Sequence, residues 1–178
     1  MKIKIKVKEL TKGCMPTISS NGDWVDLRSA VDITIPAPQS SVLKRVRDGE
    51  NQISYRNVEI PVHYIPLGIA MKLPEGFEAI VASRSSTPKN FSVFTPIGIG
   101  IIDNEYCGNK DQWCFVASSM KGVTIKQLDR VCQFRIQLSQ KATIWQKIKW
   151  LLSSGIELVQ VDKLESKNRK GFGSTGIK

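Results

Sequence analysis

The chain has a single histidine, His63, and no Cys-x-x-Cys pair; its four cysteines, Cys14, Cys107, Cys114 and Cys132, are scattered. A zinc site built from Cys and His needs closer spacing, so that class is set aside and reduced thiols are expected. Long apolar runs are also missing. The longest stretch, residues 97–102, falls far short of the ~20 residues that a spanning helix requires. Aromatics make up only 7% of the chain and are not interleaved with the basic residues, which argues against a stacking platform for single-stranded nucleic acid. The N-terminus alternates Lys with Ile instead of placing an apolar block after a charged one, so no signal peptide is expected. There is no internal repeat.

What is present suits one ordinary globular domain. The 178 residues are 41% hydrophobic and 24% charged, enough to build a core. A formal charge of +10 points to an anionic partner, without choosing among nucleic acid, polyphosphate and acidic protein. Residues 2–8 read Lys-Ile-Lys-Ile-Lys-Val-Lys, the period of two that marks a half-buried strand. Further strands are expected at 58–65, 77–82, 113–116, 123–125, 130–138 and 156–161, with Pro, Gly, Asn and Ser in the gaps. Many short strands predict an all-β barrel or sandwich. Residues 44–55 read as a polar hairpin excursion.

Residues 143–152 break the alternation. Ile144, Ile148 and Leu151 or Leu152 share one helical face, with Lys147 and Lys149 off it. Such a basic amphipathic helix can bind a membrane or a partner, but its shortness and flanking strands favour packing on the barrel. Residues 165–178 are rich in Gly, Ser and Lys, the composition of a flexible tail. Residues 171–176, Gly-Phe-Gly-Ser-Thr-Gly, could also wrap an anion through backbone N–H groups and hydroxyls.

Two further places could hold chemistry. Asp103 follows Ile99, Ile101 and Ile102 in a turn, as a capping residue or as a base at a pocket floor. Arg84, beside Ser85 and Ser86, offers a planar fork and short donors suited to phosphate oxygens, or it lies in a surface turn. Asp26 and Gln133 are uninformative singly.

In order, these pieces resemble the five motifs of the trimeric dUTPase family. The first is similar to residues 23–30, Asp-Trp-Val-Asp-Leu-Arg-Ser-Ala, and the second to Ser83-Arg84-Ser85-Ser86. The third, Gly-x-Ile-Asp-x-x-Tyr-x-Gly, is matched at Gly100, Ile102, Asp103, Tyr106 and Gly108. The fourth is similar to Leu128-Asp129-Arg130-Val131-Cys132-Gln133, and the fifth ends in the Gly-Phe-Gly-Ser-Thr-Gly of residues 171–176. Departures are Trp24-Val25 for Gly-Tyr, Ser83 for Pro, Leu128 for Gly, Ile97 for an Asn, and Lys167, with Arg169 close by, for an Arg.

The resemblance implies a distorted, jelly-roll-like β-barrel over residues 1–164, with one short helix near 143–152 and a C-terminal lid over 165–178. It implies hydrolysis of dUTP to dUMP and pyrophosphate, which limits uracil incorporation into DNA and supplies dUMP for dTMP synthesis. Asp103 would activate the attacking water, and Asp26 would support the water shell of a Mg²⁺ that the substrate's phosphates hold, with no direct protein ligand. Arg84, Ser85, Ser86, Gln133, Gly173, Ser174 and Thr175 would bind phosphates. Ile97, Gly100, Ile101 and Ile102, as a hairpin, would read the uracil edge; Tyr106 would lie under the deoxyribose and Phe172 would stack on the base. A homotrimer with shared sites follows, in the cytoplasm or, if phage-encoded, in the cytoplasm of a host cell, the tail coming from a neighbour, with no membrane partner and no expected repressor or nucleic acid. Related dCTP deaminases, which share the barrel and the Arg-Ser-Ser sequence, are the alternative enzyme class. A nucleotide-responsive binding protein on the same scaffold is the non-catalytic one.

Overall fold

The computed structural model describes residues 1–20, 22–169 and 171. It is built from short strands and two short helices. The first half carries β1 (Ile3–Glu9), β2 (Val25–Arg28), β3 (Ile33–Ile35), β4 (Gln39–Ser40), β5 (Lys44–Asp48), β6 (Asn51–Tyr55), β7 (Val58–Glu59), β8 (His63–Pro66), β9 (Ile69–Lys72) and β10 (Phe77–Ser83). After the helix α1 (Thr87–Phe91) come β11 (Val93–Phe94), β12 (Gly100–Asp103), β13 (Cys114–Ser119), β14 (Val123–Ile125) and β15 (Arg130–Leu138). The helix α2 (Ile144–Leu151) and β16 (Ile156–Gln160) follow.

β1–β3 and β8–β16 form separate small sheets around a common core, in a jelly-roll-like arrangement that does not close into one continuous barrel, while the pairs β4–β7 and β5–β6 are exposed throughout. β1 shows why the alternation matters. Ile3, Ile5 and Val7 are buried while Lys2, Lys4 and Lys6 face out. A slip of one residue would turn lysines into the core, so the register with β16 and β9 is firmly set. The structural spine is the sheet β12–β10–β15–β2, in which β10 pairs with β15 from Phe77 opposite Leu138 to Ser83 opposite Cys132. Phe77, Phe115, Phe134 and Trp113 fill the core, and Trp113 meets Phe134 edge-on at 5.4 Å. Each such side chain stabilises the fold by roughly 1.5–3 kcal/mol through lost water contact.

Two expectations change. The single strand expected at 58–65 is two: β7 pairs with β4 and β8 with β13. Pro61 lies between them and has no N–H to give to a ladder. The helix at 143–152 does form. Thr143 and Gln146 make reciprocal cap bonds, 3.4 Å from the Gln146 N–H to Thr143 Oγ1 and 2.7 Å from the Thr143 N–H to Gln146 Oε1. But it packs through Trp150, set edge-on against Phe77 at 5.4 Å, and its apolar stripe faces outward. Among the described residues, no helix is long and apolar enough to cross a membrane.

Residues 44–55 are the expected hairpin. β5 and β6 pair from Lys44 opposite Tyr55 to Asp48 opposite Asn51, and Gly49 takes a positive φ of 61° in the two-residue turn.

Candidate active site

Two groups of candidate residues form, one at each end of β10. At the Ser83 end, Arg84 leaves the strand and its guanidinium turns back onto β2. Its Nε donates to Asp26 Oδ1 at 2.7 Å, and its Nη1 reaches Ser86 Oγ at 3.3 Å and the Arg130 carbonyl at 3.4 Å. Arg130 Nη1 donates to the other Asp26 oxygen at 3.1 Å. Asp26 can stand here because Val25 and Leu27 on either side are buried, which sends it to the opposite face of β2. Gln133 pairs with Asp26 across the ladder, and its Nε2 donates to the Ser83 carbonyl at 3.2 Å. Ser85 is exposed, and buried Thr87 ties the turn down through Oγ1 to the Val131 carbonyl at 2.9 Å.

Cys132 lies beneath this group, fully buried. Burial pushes its thiol well above the usual range, Asp26 adds to the rise, and Arg84 opposes it. It is a core residue without reactivity at neutral pH.

At the Glu78 end, β12 runs beside β10 with Asp103 opposite Glu78. Here a pocket of about 250 Å³ is bounded by Val81, Ile97, Gly100, Ile101, Ile102, Tyr106 and Trp113, with Asp103, Arg169 and Gly171 also on its wall. The Tyr106 hydroxyl donates to the Gln112 carbonyl at 3.0 Å, which holds the ring in place. Burial, then Cys114 and Asp111, push the phenol's pKa up, so it stays protonated. Residues 97–102 are not a hairpin. Ile97 and Gly98 lie in a turn closed by the Ile99 N–H to the Ile97 carbonyl at 2.9 Å, and the chain then enters β12. β11 before the turn belongs to another sheet, so the two sides of the turn have no common ladder.

Asp103 is more than half exposed and meets Arg169 Nη1 at 2.9 Å; Glu105 stands 3.7 Å from the same nitrogen. Arg169 is held there by backbone bonds. Asp111, 3% exposed, accepts the Arg169 N–H at 2.9 Å on both oxygens and the Gly108 N–H at 2.7 Å. Asn168 Oδ1 accepts the Lys110 N–H at 2.8 Å, and Asn109 Oδ1 accepts the Leu164 N–H at 3.0 Å. A Cβ at Gly108 would collide with the Asn168 backbone, which gives that glycine its reason. Phe172, Gly173, Ser174 and Thr175 lie outside the described residues.

Sequence reasoning named neither Arg130 nor Asp111 as a site residue. Arg130 is one letter of a weak motif, and Asp111 falls in no motif; their roles come from partners far away in the chain. Leu128, which stands where the family motif has Gly, takes a left-handed φ of 69°. That conformation suits glycine, and a leucine there is strained.

The two ends are far apart. Arg84 lies six residues along the chain from Glu78, the partner of Asp103, which is roughly 20 Å at ~3.3 Å per residue. One α-phosphate cannot touch both side chains of one chain.

Among the described residues no three His, Cys, Asp or Glu side chains come close enough to hold an ion. Asp26 gives one lone pair of each oxygen to a guanidinium and keeps the others for water. These residues fit an ion chelated by a ligand's phosphates and touched through water.

Fold and site together define a class: a jelly-roll-like all-β protein with a pocket beside one sheet edge and an Arg–Asp cluster at the other end of the same strand. The chain belongs to the dUTPase family, whose model matches residues 53–176. It is 36% identical, over the whole of both chains, to the SPbeta prophage-derived deoxyuridine 5'-triphosphate nucleotidohydrolase YosS of Bacillus subtilis. Among solved structures it is similar to the dUTPase of Streptococcus mutans, with a TM-score of 0.60 and 16% identity, over 78% of this chain and 98% of that one. It is also similar to a mutant dUTPase from phage phi11 of S. aureus, in which coordination of a structural Mg(II) ion was described. That TM-score is 0.56 at 14% identity, over 79% of this chain and 94% of the other.

Proposed function

We propose that the protein hydrolyses dUTP to dUMP and pyrophosphate, in sites assembled from the two ends of β10 of different copies in a homotrimer. The observation that carries this reading is the separation along β10. A pocket wide enough for a pyrimidine nucleoside opens beside β12 with Asp103 on its wall, and the phosphate-suited Arg84 lies roughly 20 Å from the level of Asp103 along β10. Each end is half of a nucleotide site, and a neighbouring copy supplies the other half.

In the assembled site, uracil enters the pocket against Ile97, Gly100, Ile101 and Ile102. Tyr106, held by its bond to the Gln112 carbonyl, lies under the sugar and leaves no room for a 2′-hydroxyl. Asp103 takes a proton from the water that attacks the α-phosphorus; the bond from phosphorus to the bridging oxygen breaks and pyrophosphate leaves. The ion pair between Asp103 and Arg169 opens when substrate arrives, which frees the carboxylate for water and the guanidinium for phosphate. Arg84, Ser85, Ser86 and Gln133 of the other copy hold the phosphates, with Asp26 and Arg130 fixing the direction of the Arg84 fork. A Mg²⁺ on the triphosphate would offset part of the charge that resists attack, with Asp26 touching its waters. Residues 165–178 serve as a lid, Phe172 on the base and Gly173, Ser174 and Thr175 on the phosphates.

Pyrophosphate release from dUTP, dCTP, dTTP and UTP, assayed side by side, tests the reading. Turnover of dUTP alone is expected. Ammonia release from dCTP would assign the deaminase class, and binding of dUTP without turnover would leave a sensor.

A further inference from the structure

The helix α2 has its apolar side facing away from the molecule. Its rotation is fixed by the Thr143–Gln146 capping box at one end and by Trp150 against Phe77 at the other. At 3.6 residues per turn, Leu151, Ile144, Ile148, Leu152 and Trp145 then follow one another across an arc of roughly 120°. All five are exposed, Leu151 by 82% and Trp145 by 75%. A helix that packed in order to hide its apolar stripe would have taken the opposite rotation.

Charge says what covers this face. Lys147 and Lys149, both exposed, bracket the stripe on its two sides, each roughly 40° beyond the last apolar residue. Lys141 precedes the helix, and the Ser154 N–H donates to the Met1 carbonyl at 3.1 Å, which brings exposed Lys2 beside its C-terminal end. No Asp or Glu occurs from residue 139 to 155. Two copies docking face to face through this helix would set lysine against lysine, and a neighbour in the trimer proposed above would have to offer an anionic rim instead. The complement of an apolar stripe with a cationic rim is a surface that is apolar inside and anionic at its edge.

We propose that α2 seats this protein on an anionic lipid surface, lying in the plane of the headgroups. Ile144, Ile148, Leu151 and Leu152 enter the acyl boundary, Trp145 sits at headgroup level, and the lysines meet phosphates. A helix of eight residues, about 12 Å long, lies on a bilayer and does not cross it. Binding through so small a stripe is reversible and is weakened by salt.

The test uses the full chain with vesicles of phosphatidylcholine alone and of phosphatidylcholine mixed with phosphatidylglycerol. Co-sedimentation with the mixed vesicles only, lost at high salt, is expected. Trp145→Ser, Leu151→Ser and the pair Lys147→Glu with Lys149→Glu should each weaken it by roughly tenfold or more. These side chains are exposed, so an unchanged thermal midpoint serves as the folding control. Absence of binding to anionic vesicles overturns the proposal, as does binding that all three variants retain. If Trp145→Ser instead lowers the oligomeric mass by light scattering and no vesicles are bound, the face belongs to a contact between copies and the proposal fails. None of these outcomes depends on nucleotide turnover.

Discussion

The two ends of β10 are built on different principles. At the Arg84 end every charged group already has its partner: Asp26 lies between two guanidiniums, with Arg84 20% and Asp26 29% exposed. At the Asp103 end the carboxylate is open to solvent, meets a tail arginine, and stands beside a pocket. On the proposed mechanism, the first end is preorganised for a charge that does not change during reaction, and the second holds a group that must exchange partners. A phosphate clamp loses rate if it has to assemble during the reaction, whereas a base must be free to move a proton.

The largest effect should come from breaking the exchanging end. Asp103→Asn keeps the shape and removes the proton acceptor, so turnover of dUTP should fall by roughly 10²–10⁴-fold while nucleotide affinity holds. Stopped-flow turnover with a calorimetric affinity measurement checks both, and a variant with near-normal turnover would remove Asp103 from the role of base.

Next comes the preorganised end. Arg84→Lys keeps the charge and loses the planar fork that bridges Asp26 and Ser86, so turnover should fall by roughly 10²–10³-fold. A loss confined to KM would mean that Arg84 binds ground and transition states alike. Arg130→Ala is milder. Arg130 is 54% exposed, and an ion pair so open to water contributes roughly 0–1 kcal/mol, so a few-fold loss of turnover with little change in the urea midpoint is expected. A collapse of activity equal to that of Arg84→Lys would show that the direction of the fork depends wholly on Asp26 being held from both sides.

The smallest effect concerns Tyr106. Its native pKa is raised, so the folded protein keeps the phenol proton where the unfolded chain has lost it. Its stabilising effect is therefore complete below the ordinary phenol value near ~10 and is lost as pH rises through the higher native value. Tyr106→Phe should lose about 1 kcal/mol at neutral pH, with the bond to the Gln112 carbonyl, and show a flatter alkaline decline in urea midpoint. Parallel alkaline curves for the two proteins would contradict that assignment.

Much of this was legible in the residues. The Lys-Ile alternation of β1 and the bounds of β14 and β15 follow from period and punctuation alone, and third-motif residues meet at one pocket. What was not legible depends on distant partners. The apolar stripe of α2 was expected to pack, yet one tryptophan off that stripe, Trp150, found Phe77 and set the rotation. Asp111 gave no signal in the sequence, since its partners are backbone N–H groups, which nearly any residue can supply. Leu128 shows the opposite case: the chain keeps the backbone shape suited to the motif's glycine without the glycine.

The account depends on two ends of β10 from different copies meeting over one triphosphate. Mixing Asp103→Asn with Arg84→Ala, each inactive alone, tests it after the subunits are dissociated and reassembled together. Recovery of about a quarter of wild-type activity is predicted, since random assembly in a closed ring leaves about a quarter of the sites with both groups intact. A mixture as inactive as its components, with native mass spectrometry showing that mixed trimers had formed, would contradict it.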